Sequence, residues 1–313
     1  MYPFDPSYGH TLSTLLEVDA PQTPEDFSTF WQHCFEKTQR LEPQPQIKQS
    51  GRSVGDFTLY DLTFHSTDGI IIQGWVLVPI SQPVNKVMIV GHGYGGCDEP
   101  NGNVPLLDCA YLYLCYRGIS RSRIKGIPDN PNYHVLYNIH DRDQYIMRGC
   151  VEDTWMAVSA AEKLFPLAKE HIGLMGISLS GGLGALAVPW DKRIKKAHLH
   201  VPTFGHQRLR LTLPSLGSAN AVQKFYAQHP ELLSQTLDYY DAAIAAQYIK
   251  IPVHVAAALA DPYVAPPGQF AIYNNLVSER TLFVLEKGHA QYPNDKKEQA
   301  ALMASLTDFF ATM

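Results

Sequence analysis

The sequence predicts an α/β fold, in which a mostly parallel sheet is covered by helices on both faces. Short apolar runs of strand length alternate along the chain with longer segments of helical periodicity. A serine, an aspartate and a histidine each follow one of these runs, and open α/β sheets place their functional sites at that edge. With 313 residues, of which 45% are hydrophobic, the chain can bury one large core, and we expect residues 1–313 to form a single domain.

An N-terminal helical segment over residues 24–40 precedes the predicted sheet. Residues 56–80 alternate polar and apolar side chains, which predicts an antiparallel pair of strands. Residues 1–50 are interpreted as an N-terminal extension, and residues 118–148, with two prolines and several Asn and Asp, as an excursion from the sheet. The remaining predicted strands are 86–90, 110–115, 172–176, 196–201, 252–258 and 281–285, and the predicted helices are 150–164, 181–188 and 296–311.

The most informative segment is Gly176-Ile-Ser-Leu-Ser-Gly181, which follows an apolar run ending at Met175. A strand, a tight turn with a serine and a helix of small residues form the nucleophile elbow of serine hydrolases, whose usual pattern is G-x-S-x-G. Two registers are open, since each has only one of the two glycines. Ser178 is favoured because it lies just past the strand, whereas Ser180 would lie in the first helical turn, where its hydroxyl can bond backbone groups.

Two other interpretations of this segment remain. An isolated G-x-S-x-S pattern is more often a glycine-rich turn with an incidental serine. Gly182-Leu-Gly-Ala-Leu-Ala187 also fits a degenerate dinucleotide-binding pattern. Its first glycine comes several residues after the strand, however, and the next acidic residue, Asp191, comes earlier than that pattern requires.

Asp261 and His289 follow later apolar runs. The run 251–260 delivers Asp261 into a proline-rich loop, and His289 comes shortly after the predicted strand 281–285. A serine hydroxyl is a weak nucleophile until a histidine takes its proton, and a carboxylate must orient that histidine. Either residue alone could be a polar loop residue. The order Ser, Asp, His is the one found with this elbow, and it predicts a triad of Ser178, Asp261 and His289.

A glycine-rich loop, Gly91-His-Gly-Tyr-Gly-Gly96, follows the apolar strand at 86–90. Such a loop can turn backbone N–H groups toward a developing oxyanion, because glycine adopts the required backbone angles without steric hindrance. We expect the N–H groups of Tyr94 and Leu179 to form the oxyanion hole. The alternative is a glycine-rich turn without this role.

The substrate pocket is expected to include aromatic and strand-end residues near these groups. Tyr94, His200, Phe204, Tyr263 and Pro266 are the predicted lining residues, although aromatic side chains more often fill a core. His198-Leu-His200 would also place two imidazoles on one face of a strand. A metal site is not predicted there, because zinc needs a third ligand and no partner motif is present.

Composition excludes several classes of function. The net charge of −5 and the absence of a basic cluster argue against a nucleic-acid partner. The five cysteines are odd in number and lack metal-binding spacing, so neither a disulfide framework nor a zinc site is predicted. The start of the chain has no signal-peptide pattern and no run is long and apolar enough to span a membrane. We therefore expect a cytoplasmic protein without a membrane partner.

Several blocks in order resemble the acetyl xylan esterase and cephalosporin-C deacetylase family, carbohydrate esterase family seven. The resemblance covers nearly the whole chain. This chain differs from the family's pattern at three places. It has Leu179 and Ser180 in the elbow and Ile119-Ser120 after Arg117-Gly118, and it has Ala265 where the family has a cysteine. The blocks are Pro24-Glu-Asp-Phe-Ser-Thr-Phe-Trp31, Tyr60–Phe64 with Asp68-Gly69 and Gly74-Trp75, His92-Gly-Tyr-Gly95, Arg117-Gly118, Thr236–Asp241, Ile249–Pro252, Asp261 with Pro266-Pro267 and Tyr273-Asn274, and Gly288-His289.

The resemblance implies an α/β-hydrolase fold and a serine esterase that needs no cofactor. It implies Ser178 as the nucleophile, Asp261 and His289 as its partners, and Tyr94 as an oxyanion donor. The implied substrates are small acetylated molecules, such as acetylated sugars, xylo-oligosaccharides or cephalosporin C, and the implied assembly is a homo-oligomer, a hexamer in family members. A peptidase or longer-chain carboxylesterase of the same fold, and a non-catalytic binding protein on this scaffold, remain as alternatives.

Overall fold

A nine-stranded mixed sheet forms the centre of the computed structural model, which describes residues 2–313. Its strand order is β1-β2-β3-β5-β4-β6-β7-β8-β9, and all pairings from β5 through β9 are parallel. The predicted α/β fold with a mostly parallel sheet is therefore confirmed. The strands are β1 Gln46–Val54, β2 Phe57–His65, β3 Ile71–Pro79, β4 Val87–Gly91, β5 Ala110–Leu114, β6 Ile172–Ile177, β7 Ile194–His200, β8 Val253–Ala258 and β9 Arg280–Leu285.

Helices cover both faces of the sheet. On β4, Val87 and Ile89 face a core that contains Trp155 of the longest helix, whereas Met88 between them faces a second core with Leu306 of the last helix. Successive strand residues point to opposite faces, so one strand contributes to both cores. The helices are α1 Leu12–Leu15, α2 Phe27–Thr38, α3 Pro131–His134, α4 Ile146–Leu164, α5 Leu179–Ala187, α6 Gln207–Arg210, α7 Ala219–Tyr226, α8 Leu232–Gln235, α9 Ala242–Ala246, α10 Pro266–Asn274 and α11 Asp295–Phe310.

The antiparallel part of the sheet is larger than the sequence predicts. Residues 56–80 form the expected antiparallel pair, β2 and β3, and β3 joins the parallel strands through an antiparallel pairing with β5. The additional strand β1 pairs with β2 at the edge. Most of its side chains are exposed, so it lacks the apolar run by which a strand is recognised in a sequence.

Two excursions leave the sheet above the carboxyl ends of its parallel strands. The predicted one, residues 118–148, contains α3 and ends in the first turn of α4. A second one, which the sequence does not predict, lies between β7 and β8 and contains α6 to α9. Its helices have four to eight residues, too few for a clear helical period.

The segment after Asp261 is also more regular than expected. The proline-rich loop ends at Ala265, and Pro266 and Pro267 begin α10. Proline is favoured in the first helical turn because its missing N–H has no helical partner there and its φ angle is already helical. No helix formed by residues 2–313 is long and apolar enough to cross a membrane.

Candidate active site

Ser178 lies at the sharp turn between β6 and α5. Its backbone angles are φ 55° and ψ −107°, a conformation that is strained for a residue with a side chain. The turn is held by hydrogen bonds from Ser178 N–H to His200 O at 2.8 Å and from Thr203 N–H to Ser178 O at 3.1 Å. Glycine is required at Gly176, because a Cβ there would lie 2.9 Å from the Gly181 nitrogen. The elbow therefore has the geometry of its predicted pattern.

Ser180 has a different environment from Ser178. It lies in the first turn of α5 and is almost completely buried. Its hydroxyl accepts a hydrogen bond from Ile177 N–H at 2.7 Å and donates one to Ile177 O at 3.0 Å. Ser180 thus fastens the end of β6 to the helix, as the sequence suggested for a serine at this position.

His289 lies between Ser178 and Asp261. Its Nε2 is 2.9 Å from the Ser178 hydroxyl, and its Nδ1 is 2.7 Å from the Asp261 carboxylate. A carboxylate accepts hydrogen bonds, so Nδ1 carries the proton and Nε2 is left to accept from the serine. The backbone of His289 also has a positive φ, 50°. The structure thus brings together the three residues that the sequence predicts as a triad.

Asp261 is completely buried, and every oxygen of its carboxylate has partners. Oδ1 accepts from Tyr263 N–H at 2.9 Å and Val264 N–H at 3.0 Å, whereas Oδ2 accepts from His289 and, at 3.1 Å, from the Gln269 amide. The Asp261 N–H itself donates to Pro6 O at 2.9 Å, so the N-terminal extension contacts this loop. These four hydrogen bonds fix the position and orientation of the carboxylate.

Gln269 of α10 was not predicted as a site residue. Its amide nitrogen donates to Asp261 and, at 2.7 Å, to Val264 O, while its amide oxygen accepts from Ala258 N–H at 2.9 Å. It is fully buried and connects the carboxylate to the end of β8. No motif marks it, because its role depends on where α10 packs.

The loop Gly91–Gly96 lies beside the serine. A Cβ at Gly93 would be 3.5 Å from the Ser178 Cβ, so the backbone passes directly alongside the hydroxyl. Among residues 2–313, no group accepts a hydrogen bond from the N–H of Tyr94 or of Leu179. These two donors are therefore free for a ligand, as an oxyanion hole requires.

His92 holds this loop in place. Its Nδ1 lies 2.6 Å from Gly93 O and its Nε2 lies 3.2 Å from Tyr116 N. The first contact needs a proton on Nδ1, and the second needs a free Nε2 because the Tyr116 N–H donates. Burial lowers the pKa of His92 to about 4, so the neutral ring that both contacts require is maintained.

The Tyr94 side chain connects the loop to the excursion at 118–148. Its hydroxyl lies 3.2 Å from Nδ1 of His134, whose Nε2 lies 2.9 Å from Arg117 O. The Arg117 guanidinium makes two hydrogen bonds to the buried Asp153 carboxylate, at 2.7 and 3.0 Å. Arg117 belongs to a block that the sequence identifies by resemblance, but its support of the loop through His134 was not predicted.

A cavity of about 990 Å³ opens above Ser178 and His289. Tyr94 lines it, as does Tyr263, whose ring centroid is 5.8 Å from that of His289. The excursion between β7 and β8 contributes Leu216, which was not predicted. This volume lies at the upper end of the usual range for ligand pockets, roughly 300–1,000 Å³.

The other predicted pocket residues do not line this cavity. Phe204 is buried and borders a smaller, adjoining cavity together with Arg210. His200 is not among the residues that line the cavity; its ring centroid lies 5.8 Å from that of His198, and its carbonyl accepts the hydrogen bond from Ser178 N–H. Pro266 is buried at the start of α10. The expectation for His200 and Pro266 as lining residues is therefore corrected: a strand-end position alone does not decide which face a side chain occupies.

His198 and His254 form a buried pair on neighbouring strands. Their Nδ1 atoms are 3.1 Å apart, and His254 Nε2 is 3.1 Å from the Ser305 hydroxyl of α11. Burial lowers the pKa of His254 to about 4 and that of His198 well below its usual range. Across residues 2–313, no group of three or more His, Cys, Asp or Glu side chains is arranged to hold a metal ion.

The sheet order, the strained serine turn after a central parallel strand and the acid and histidine beyond later strands define an α/β-hydrolase. A model of the acetyl xylan esterase family, AXE1, matches residues 14–305. The chain therefore belongs to the acetyl xylan esterase family and is a carboxylic ester hydrolase.

Solved structures agree in fold. Acetyl xylan esterase 1 from Thermoanaerobacterium sp. JW/SL YS485 is 22% identical, with a TM-score of 0.81 over 97% of this chain and 99% of that one. Acetyl xylan esterase from Paenibacillus sp. R4 is 21% identical, with a TM-score of 0.79 over 95% and 99%. An acylaminoacyl peptidase from Pyrococcus horikoshii is 15% identical, with a TM-score of 0.60 over 82% of this chain and 42% of its own.

Proposed function

We propose that this protein is a serine esterase that removes acetyl groups from acetylated sugars, xylo-oligosaccharides and similar small esters, among which cephalosporin C is a candidate. The observation that carries the proposal is the continuous hydrogen-bonded series from Asp261 through His289 to Ser178, at the floor of a large cavity in a chain of this family. The choice of acetyl as the acyl group rests on the family.

In the first step, His289 Nε2 takes the proton of the Ser178 hydroxyl as the serine oxygen attacks the ester carbonyl. The carbonyl oxygen becomes negatively charged and accepts hydrogen bonds from the Tyr94 and Leu179 N–H groups. These donors belong to a fixed backbone, so they need no reorganisation when the charge develops. The Asp261 carboxylate stabilises the imidazolium and keeps Nε2 directed at the serine.

In the following steps, the imidazolium protonates the departing sugar oxygen, and the acetyl group stays on Ser178 as an ester. A water molecule then gives its proton to His289 and attacks this ester, releasing acetate and restoring the serine. The substitution of Leu179 for the family's glutamine leaves this mechanism intact, because the donor is a backbone N–H. No cofactor takes part.

A series of nitrophenyl esters of increasing acyl length, run beside acetylated xylose and a fluorophosphonate probe, tests the proposal. We expect labelling at Ser178, the highest kcat/KM for the acetyl ester and release of acetate from the sugar. A preference for long acyl chains, or for amides, would indicate a different member of the α/β-hydrolases. Absence of both labelling and turnover would indicate a binding protein on this scaffold.

A further inference from the structure

A second cavity of about 610 Å³ lies beside the main one, between α3 and α7. The two cavities border each other, because Asn132, Leu216 and Gly217 line both of them. Asn132 and Leu216 are exposed at this boundary. A ligand whose ester lies at Ser178 can therefore extend its alcohol part across the boundary into the second cavity, which we call the side groove.

Helix α7 presents two rows of side chains to the side groove. Asn220 and Lys224, four residues apart in α7, form a polar row, and Ala221 and Phe225 form an apolar row beside it. Gln228, two residues past the end of α7, also lines the groove. Residues four apart lie on the same helical face, so the spacing produces both rows. The groove thus offers an aromatic ring next to a row of hydrogen-bonding groups.

The opposite wall belongs to α3, which contributes Asn132 and Tyr133. Within residues 2–313, the side chains of Asn132, Tyr133, Lys224 and Gln228 make no hydrogen bond or ion pair with another protein group. Tyr133 is 66% exposed. These polar groups are therefore available to a ligand, and an aromatic ring stands on each side of the groove.

Both walls are fastened to the proposed catalytic machinery. On one side, the α3 residue His134 contacts the Tyr94 hydroxyl of the oxyanion loop. On the other side, Leu216 N–H donates to Pro262 O at 2.8 Å, and the Ser215 hydroxyl donates to Tyr263 O at 2.7 Å, immediately after Asp261. The groove thus has a fixed position relative to the serine, which a subsite for part of the same substrate requires.

We propose that the side groove binds the sugar units attached to the acetylated sugar, so that the preferred substrate is an acetylated oligosaccharide of two or more units; this rests on the proposed function. A sugar ring carries hydroxyls that both donate and accept, and apolar C–H faces. Side-chain amides also donate and accept, and aromatic rings such as Phe225 and Tyr133 pack against apolar faces. The two rows of α7 match this combination.

The first test compares kcat/KM for acetylated xylotriose with kcat/KM for acetylated xylose, as a ratio. We expect the ratio to fall about tenfold in the double variant Asn132→Ala/Gln228→Ala, because each substitution removes hydrogen bonds to the added sugar units. The double variant Asn103→Ala/Gln32→Ala removes the same side chains from exposed positions outside both cavities and should keep the original ratio. Equal ratios in all three proteins would overturn the proposal.

A binding measurement separates this proposal from the proposed function. We expect xylotriose without acetyl groups to bind Ser178→Ala protein in calorimetry, and Asn132→Ala/Gln228→Ala added to it to weaken binding about tenfold. If acetylated sugars are not hydrolysed but xylotriose binds in this way, the proposed function fails and the groove stands. If xylotriose does not bind, the groove proposal fails. Light scattering on the Asn132→Ala/Gln228→Ala protein adds one outcome. If its mass is lower than that of the wild type and its ratio of kcat/KM values is unchanged, the proposal is overturned and the groove is a contact between copies of the chain.

Discussion

Ser178 and Ser180 are two residues apart, and the fold gives their hydroxyls opposite environments. The Ser178 hydroxyl faces an imidazole and an open cavity, whereas that of Ser180 is occupied twice by the backbone of Ile177. The sequence favours the Ser178 register because that residue lies just past the strand end and because Ser180 can bond backbone groups at the start of the helix. The difference between the two hydroxyls arises because one residue lies at the turn and the other inside the first helical turn.

Replacement of each serine by alanine should separate these roles. Ser178→Ala should reduce turnover by about four orders of magnitude or more, because it removes the proposed nucleophile. Ser180→Ala should retain much of the activity and lower the free energy of unfolding by about 1–2 kcal/mol, since it leaves a buried N–H without a partner. Steady-state kinetics with nitrophenyl acetate and thermal unfolding measure both. Activity lost only in the Ser180 variant would shift the register by two residues.

Residues that act through packing were less predictable than those that carry reactive groups. The sequence indicated Asp261 and His289 because acid and base must follow the serine in a fixed order. Gln269 carries no such requirement, and its contact with Asp261 exists only because α10 packs over the end of β8. His200 illustrates the opposite error, since its position at a strand end suggested a pocket residue and its ring lies beside His198.

At the scale of elements, predictability followed burial. The central parallel strands are largely buried and appear in the sequence as short apolar runs, so each was located to within about two residues, as was the more exposed edge strand β9. The exposed edge strand β1 and the short helices α6 to α9 have no comparable pattern. The second excursion, and with it one wall of the main cavity and of the side groove, was therefore missed.

His254 of β8 is buried against His198 of β7 and Ser305 of α11. We expect this buried histidine to make the free energy of unfolding depend on pH. Its pKa is lowered to about 4 by burial, with His198 and His200 as its charged or titratable neighbours. The unfolded chain, with a histidine pKa of about 6.5, binds the proton more readily than the folded chain does. The neutral His254 therefore contributes its full share of stability above about pH 6.5, the pKa in the unfolded chain, and this share is lost as pH falls toward about 4.

His254→Gln should remove the part of the pH dependence of the unfolding free energy that comes from protonation of His254. Between about pH 7 and about pH 5, the wild-type protein should lose about 2 kcal/mol more of its unfolding free energy than the variant does. Denaturant unfolding at both pH values measures this difference, and His140→Gln, at an exposed position, provides the control. Equal losses in wild type and His254→Gln would show that His254 does not couple folding to protonation.

At the scale of the whole molecule, surface beyond the sheet's own covering is available for assembly. The resemblance implies a homo-oligomer, and residues 1–50 and 118–148 are the segments that we propose as subunit contacts. Part of the latter, α3, also forms a wall of the side groove. If assembly surrounds the cavities, their entrances become narrow, and small acetylated molecules enter more easily than a polymer.

Light scattering, combined with activity on acetylated xylose and on intact acetyl xylan, measures this consequence. We expect a mass several times the 35.0 kDa of one chain and a strong preference for the small ester. A stable monomer that deacetylates the polymer as readily as the monosaccharide would contradict both expectations. Truncation is not a suitable control here, because the N-terminal extension contacts the Asp261 loop directly.

That contact, from Asp261 N–H to Pro6 O, joins two parts of the chain that are synthesised at very different times. Pro6 leaves the ribosome more than two hundred residues before Asp261 does, and His289 follows later still. The Ser178 elbow is synthesised between them. With Ser178, His289 and Asp261 in their proposed roles, the serine of a nascent chain has no base to take its proton until the C-terminal strands have joined the sheet.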